Sequence, residues 1–247
     1  MSFDRKGSGV IQWGSAVKAA IYNGKIVVLD EISNSFVFFD EVQSNSILSV
    51  LGKRFSELSE EESSSVNDLI SHGLICIAGK TTAKNFQDII TSKGAFECDW
   101  ALGDSKTSLS SFRPRYFMRA IILLLLAKRC SNKGKLHGLF QTLRSSPFDD
   151  MVADDKELTV IVSNVNLAIL FLWRKTKCLE FAYTVARIAF IHKIKCRFVV
   201  GVQTHPFISH AWVEGENGVV FDRKELPEEL AKIVSISGIN ECSIENF

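Results

Sequence analysis

Apolar positions along the first third of the chain fall into short runs. Val17–Tyr22, Lys25–Leu29 and Ser35–Phe39 each have strand length and strand-like composition. Asn23-Gly24 separates the first two. Because both residues tolerate positive φ, that pair predicts a tight hairpin. Glu31–Asn34 predicts a second turn. The spacing then changes to a helical period, with Val42, Ile47, Val50 and Leu51. A second helix opens at Ser59, an N-cap followed by Glu60, Glu61 and Glu62, where acidic side chains suit the helix dipole. Its apolar positions are Val66, Leu69 and Ile70, and His72-Gly73 ends it.

Three strands followed by helices in fewer than about 70 residues describe a small winged-helix-like module. Residues 79–112 are rich in Ser, Thr, Lys, Gly and Asp, show little periodicity and read as a linker. Arg113-Pro114 then starts a helix running to about Cys130. Further helices are expected at Leu136–Leu143, Asn164–Trp173 and Cys178–His192, and strands at Cys196–Val202, Ser209–Glu214 and Val219–Asp222. The order predicts an α+β chain in two parts, 1–80 and 113–247, joined by 81–112. No internal repeat is present.

Composition narrows the classes. Of 247 residues, 46% are hydrophobic and 23% charged, which excludes a wholly disordered chain. Lys and Arg total 29 against 28 acids, a net charge of +1. That balance argues against a nucleic-acid partner, whose capture needs a strongly basic face, and against a membrane partner. The longest apolar run, Ala120–Ala127, is too short to span a bilayer. Six scattered cysteines with no Cys-x-x-Cys pair fit reduced thiols, so a cytoplasmic location is expected. No metal-ligand cluster, phosphate-binding loop or dinucleotide fingerprint occurs, and no cofactor is expected.

Candidate chemistry lies in the C-terminal part. Cys178 begins a helix after Arg174-Lys175-Thr176-Lys177, where the helix dipole favours a thiolate. Phe181, Ala182, Val185 and Ala189 continue its face at helical spacing. On those facts alone the commoner role, a small apolar filler, is favoured. Strand alternation puts His210, Trp212 and Glu214 on one face. Asp222 follows the turn at Glu216-Asn217-Gly218, and register decides whether it meets His210. A two-residue Asn217-Gly218 loop would set Asp222 opposite Val213, on the wrong face. A three-residue Glu216–Gly218 loop would pair it with Trp212, diagonal to His210. Taken singly, His210 reads as a hydrogen-bonded core residue and Asp222 as a surface acid. His72, His137, His192 and His205 read as cap, solvated, helix-end and loop residues.

Together, Cys178-Leu179-Glu180, the block Val199-Val200-Gly201-Val202-Gln203-Thr204-His205-Pro206-Phe207-Ile208-Ser209-His210-Ala211-Trp212-Val213-Glu214 and Phe221-Asp222 strongly resemble the lasso peptide B proteins. These are leader peptidases with a transglutaminase-like, papain-type cysteine protease fold. The resemblance implies that Cys178 is the nucleophile, His210 the base and Asp222 the orienting acid. It also implies a precursor peptide as substrate and, as partner, the family's C protein, an ATP-using macrolactam synthetase. In fused members a winged-helix RiPP recognition element precedes the protease and takes the leader as an added strand. Mapped here, Ser35–Phe39 is the receiving edge, with Phe36 and Phe38 on one face and Val66, Leu69 and Ile70 on the facing helix. Equally, these side chains are expected to fill the module's own core. Two other activities fit the same residues, namely acyl transfer to an amine and leader holding without catalysis.

Overall fold

The computed structural model describes residues 9–78, 88–89, 111–146, 150–173 and 175–237. The chain divides into units Met1–Ile90 and Thr91–Phe247.

In the first unit β1 (Val10–Trp13) leads into β2 (Val17–Tyr22), β3 (Lys25–Asp30) and β4 (Ser35–Phe38). Then come α1 (Glu41–Val50), a 3-10 turn at Phe55–Glu57, α2 (Glu60–Ser71), β5 (Ile75–Ala78) and β6 (Asp88–Ile89). Asn23 and Gly24 take φ of 48° and 73°, so Tyr22 pairs with Lys25 across the expected tight hairpin. The α2 cap forms as the sequence suggests. The Ser59 hydroxyl accepts from Glu62 N–H at 3.2 Å, and the Glu62 carboxylate accepts from Ser59 N–H at 2.9 Å.

The main sheet has the order β4-β3-β2-β6. One face of it, Val17, Ile21, Ile26 and Val28, packs on Ile47 of α1 with Val37 and Phe39. β1 and β5 form a separate antiparallel pair whose side chains Ile11 and Ile75 bury Val50 and Val66. This pair is absent from the sequence reading, because each member is four residues long and its partner lies some 65 positions away. Most of 81–112 falls outside the described residues. Within it, Asp88–Ile89 pairs in parallel with β2.

The second unit contains α3 (Pro114–Asn132), α4 (Leu136–Arg144), α5 (Asp155–Leu172), α6 (Cys178–Ile191), β7 (Arg197–Thr204), β8 (Phe207–Gly215), β9 (Gly218–Val219), α7 (Leu226–Glu229) and β10 (Ala231–Ser237). The sheet is antiparallel, in the order β10-β7-β8-β9. α6 packs on β7 and β8 and also against α3 and α5. It is apolar nearly all round, as a helix enclosed by neighbours must be.

Three expectations need correction. α5 starts at Asp155 rather than Asn164, because Asp154 caps it by accepting Glu157 N–H at 2.9 Å. Its β-branched opening, Thr159-Val160-Ile161-Val162, is a weak helix former, but burial of Leu158, Ile161, Val162 and Val165 overrides that preference. Val219–Asp222 is not a full strand, since β9 stops at Val219. The last strand is β10, which crosses back to the far edge and pairs with β7 through a bulge between Lys232 and Val234.

Candidate active site

α6 and β8 carry two of the three candidate residues, and the third, Asp222, follows β9. Cys178 is the first residue of α6, and the buried Glu180 carboxylate accepts Lys177 N–H at 3.2 Å, closing the first turn. His210 lies in β8 directly opposite Gly201 of β7 and is 3% exposed. Its Nε2 is 2.7 Å from Asp222 Oδ2, and the Cys178 thiol is its other hydrogen-bond partner. Asp222 is held at both oxygens, as Arg223 N–H donates to Oδ1 at 2.8 Å. All three side chains therefore meet.

They meet through neither of the two registers considered from the sequence. The hairpin pairs Gly215 with Gly218 and Glu214 with Val219, leaving Glu216-Asn217 as the loop. Continued regularly, that ladder would set Asp222 opposite Ala211, on the face away from His210. The ladder instead ends after Val220 N–H donates to Val213 O, and Phe221 adopts φ of 55°. A left-handed bulky residue is strained. Here it turns the chain so that Asp222 reaches the imidazole.

The electrostatics follow from these contacts. Burial alone would raise the Cys178 pKa, but the hydrogen bond and charge of His210, helped by Ala211 and Leu179 N–H groups, hold it below the ordinary value. Burial alone would lower His210. The hydrogen bonds and charges of Asp222 and Cys178 outweigh it and raise the imidazole from 6.5 to about 9. Both shifts favour a thiolate–imidazolium pair. Cys196 provides the contrast, because it is buried with nothing to stabilise its thiolate and burial pushes it well up.

Five further residues support this geometry. The Trp212 indole stacks beside the His210 ring, with centroids 6.3 Å apart and planes at 17°. Its Nε1–H donates to Glu214 Oε1 at 3.0 Å, and Lys232 Nζ donates to the same oxygen at 2.7 Å. Gly201 makes room for the indole, since a Cβ there would lie 2.5 Å from Trp212 Cη2 and 2.8 Å from Leu230 Cβ. Asp155 holds the β8–β9 turn, accepting Glu216 and Asn217 N–H groups at 3.1 Å each. The alternation reading had placed Trp212 and Glu214 with His210, whereas Gly201, Lys232 and Asp155 went unrecognised. An interior strand glycine was the available signal for Gly201. Gly201→Ala is expected to destabilise the unit by about 3 kcal/mol through overpacking, measurable as a lower Tm with loss of near-ultraviolet indole dichroism.

In the first unit β4 is an edge of its sheet. Val37 and Phe39 are the β4-side residues that share a core with Leu69. Alternation therefore sends Phe36 and Phe38 to the opposite face. Phe38 is exposed and Phe36 half-buried. Val66 is fully buried against Ile11, Val50 and Ile75, with Ile70 beside it. The expected grouping of Phe36 and Phe38 with Val66, Leu69 and Ile70 is thus not assembled, because even and odd residues of a strand cannot face one helix together. Among the described residues no group of three or more His, Cys, Asp or Glu is placed to hold a metal ion.

A sequence model of the transglutaminase-like superfamily matches residues 120–235, the stretch that contains all three site residues. The second unit is accordingly a transglutaminase-like domain. A 73-residue stretch of the chain is 37% identical to the microcin J25-processing protein McjB of Escherichia coli, covering 29% of this chain and 35% of that protein. The chain thus spans about a third of that curated relative's length in the match. Together the two matches support a lasso peptide B protein, the family that the Cys178-to-Asp222 block resembles. No solved structure matches the chain significantly.

Proposed function

We propose that the chain is a cysteine peptidase that removes the leader from a ribosomally made lasso peptide precursor, freeing the amine of the core for macrolactam formation. The observation that carries this reading is the contact of Cys178, His210 and Asp222, with the thiol lowered and the imidazole raised. The match to a microcin-processing protein supports the same substrate class.

With Nε2 engaged by Asp222, Nδ1 of His210 is the nitrogen left for sulfur, and it takes the Cys178 proton. The thiolate attacks the carbonyl at the leader–core junction. N–H groups in the first turn of α6 receive the oxyanion, each such donor contributing about 3 kcal/mol. The imidazolium returns its proton to the departing amine, which becomes the core's N-terminus. Water then hydrolyses the thioester, releasing the leader and restoring the thiol. The freed amine is the group a macrolactam synthetase would join to a side-chain carboxylate.

The first unit holds the leader in this reading. An extended segment added along β4 gains main-chain hydrogen bonds and is kept near the thiolate at high effective concentration. Phe39 N–H donates to Ile26 O at 2.9 Å, so by antiparallel alternation Phe36 and Phe38 direct their N–H groups away from β3. Phe36→Pro is therefore expected to weaken leader binding at least about tenfold, the equivalent of roughly one main-chain hydrogen bond, while sparing the β3–β4 ladder. Fluorescence anisotropy of a labelled leader reads the change.

Incubating the purified chain with a leader–core precursor and weighing the products tests the whole proposal. Two fragments whose masses sum to the precursor plus one water are expected. A product carrying an added amine instead would identify acyl transfer, and an intact precursor would reduce the chain to a leader-holding protein.

A further inference from the structure

The near-zero net charge of the chain conceals a local imbalance. Between Ser105 and Phe148 the sequence contains no Asp or Glu, while α3 alone carries Arg115, Arg119, Lys128 and Arg129. This same helix presents an open apolar stripe. Met118, Ile122, Leu125 and Leu126 are 42–55% exposed and recur at i, i+4, i+7 and i+8. Beside it the end of α5 exposes Phe171 at 70% and Trp173 at 94%.

Two contacts make these a single surface. The Phe117 ring packs edge to face on Phe171, with centroids 5.7 Å apart, and Lys128 Nζ donates to Lys175 O at 3.0 Å. Phe171 thus lies beside the N-terminal half of α3 and Lys175 beside its C-terminal half. Some of the cations have partners, since Arg115 faces Glu157 and Arg119 bonds His192. Among the described residues no carboxylate pairs with Lys128, Arg129, Lys175 or Lys177.

We infer that this face docks on an anionic lipid surface. Apolar and aromatic side chains flanked by Lys and Arg, with no acid between them, form the pattern of an element lying in the interface plane. The rings enter the headgroup–acyl boundary while Lys128, Arg129, Lys175 and Lys177 reach the phosphates. An acidic protein helix would complement the charge as well. The 94% exposed indole of Trp173, set beside Phe171 and cations with no acid among them, is however the combination that a bilayer interface takes up, with the ring at headgroup level and the cations at the phosphates. Spanning is a separate matter, as no described helix is long and apolar enough to cross a membrane. The inference does not depend on the peptidase reading. Nor does it conflict with the total charge, since that sum averages this face with acidic regions elsewhere.

Co-sedimentation of the full chain with vesicles tests it. Vesicles of equal parts phosphatidylcholine and phosphatidylglycerol are expected to bind the chain at least about tenfold more tightly than phosphatidylcholine alone, a preference that molar salt removes. The double variant Trp173→Asn, Ile122→Glu should lose at least about tenfold of that binding with an unchanged thermal transition. Both positions are exposed, and Asn tolerates the φ of 48° at residue 173. Failure to bind either vesicle, equal binding to both, or full binding by the variant overturns the inference. So does a wild-type dimer that the variant dissociates without any vesicle binding, which would assign the face to a second copy of the chain.

Discussion

The Cys178→Ala chain is expected to cleave precursor about a millionfold more slowly than the wild type, the scale of loss when a hydrolase is deprived of its nucleophile, while binding leader with unchanged affinity. Rate and affinity separate because the Cys178 sulfur is the group proposed to form the acyl intermediate, whereas the proposed leader contacts lie on β4 in the other unit. Among the described residues no neighbouring thiol substitutes for it. Cys196 is fully buried with its pKa pushed well up, so it supplies no thiolate. Product formation followed by mass, alongside anisotropy of a labelled leader, checks both halves. Cleavage at the wild-type rate would remove the peptidase mechanism, and parallel loss of binding would remove the division of labour between the units.

Asp222→Ala should reduce the cleavage rate by about 10^2- to 10^4-fold, the usual contribution of an oriented acid–base group. Asp222→Asn should recover part of that loss, because an amide oxygen still accepts the Nε2 proton and keeps Nδ1 toward sulfur. The two variants differ from wild type most clearly in their pH profiles. The competent state is thiolate with imidazolium, so activity rises with pH as the lowered Cys178 thiol ionises and falls as His210 loses its proton near pH 9. Without the Asp222 carboxylate the alkaline limb should move down in both variants. A limb that stays in place would mean that Asp222 does not hold the imidazolium. The same shift bears on stability. His210 is raised from 6.5 to about 9, so its contribution is complete below pH 6.5 and disappears as pH climbs through 9. Wild-type thermal stability should lose this increment across that window, and Asp222→Ala should lose less.

Much of the architecture was legible locally. The Asn23-Gly24 hairpin, the Ser59 cap with its three glutamates and the apolar periodicity of α6 are short-range signals, and each forms as read. What failed did so for want of local information. β1 and β5 satisfy one another across most of the first unit, and β10 finds β7 at the far edge of its sheet. The start of α5 was missed because β-branched residues that disfavour an isolated helix are stabilised by the core around them. Phe36 and Phe38 failed to join α2 for the opposite reason, since the alternation was plain in the sequence but the face toward the helix was not.

For the site, Cys178, His210 and Asp222 are nominated by the resemblance of the block that contains them to a known family, because each residue taken singly favours a structural role. Whether they touch was a matter of three dimensions. Regular pairing of the β8–β9 hairpin would have turned Asp222 away, and one left-handed residue, Phe221, redirects it. The chain alone therefore determined the locally encoded elements and the reactive groups, which depend on neighbours a few residues apart. Only the tertiary structure decided register, the space at Gly201 for Trp212 and the basic, apolar face of α3, because each depends on which distant atoms occupy the adjoining volume.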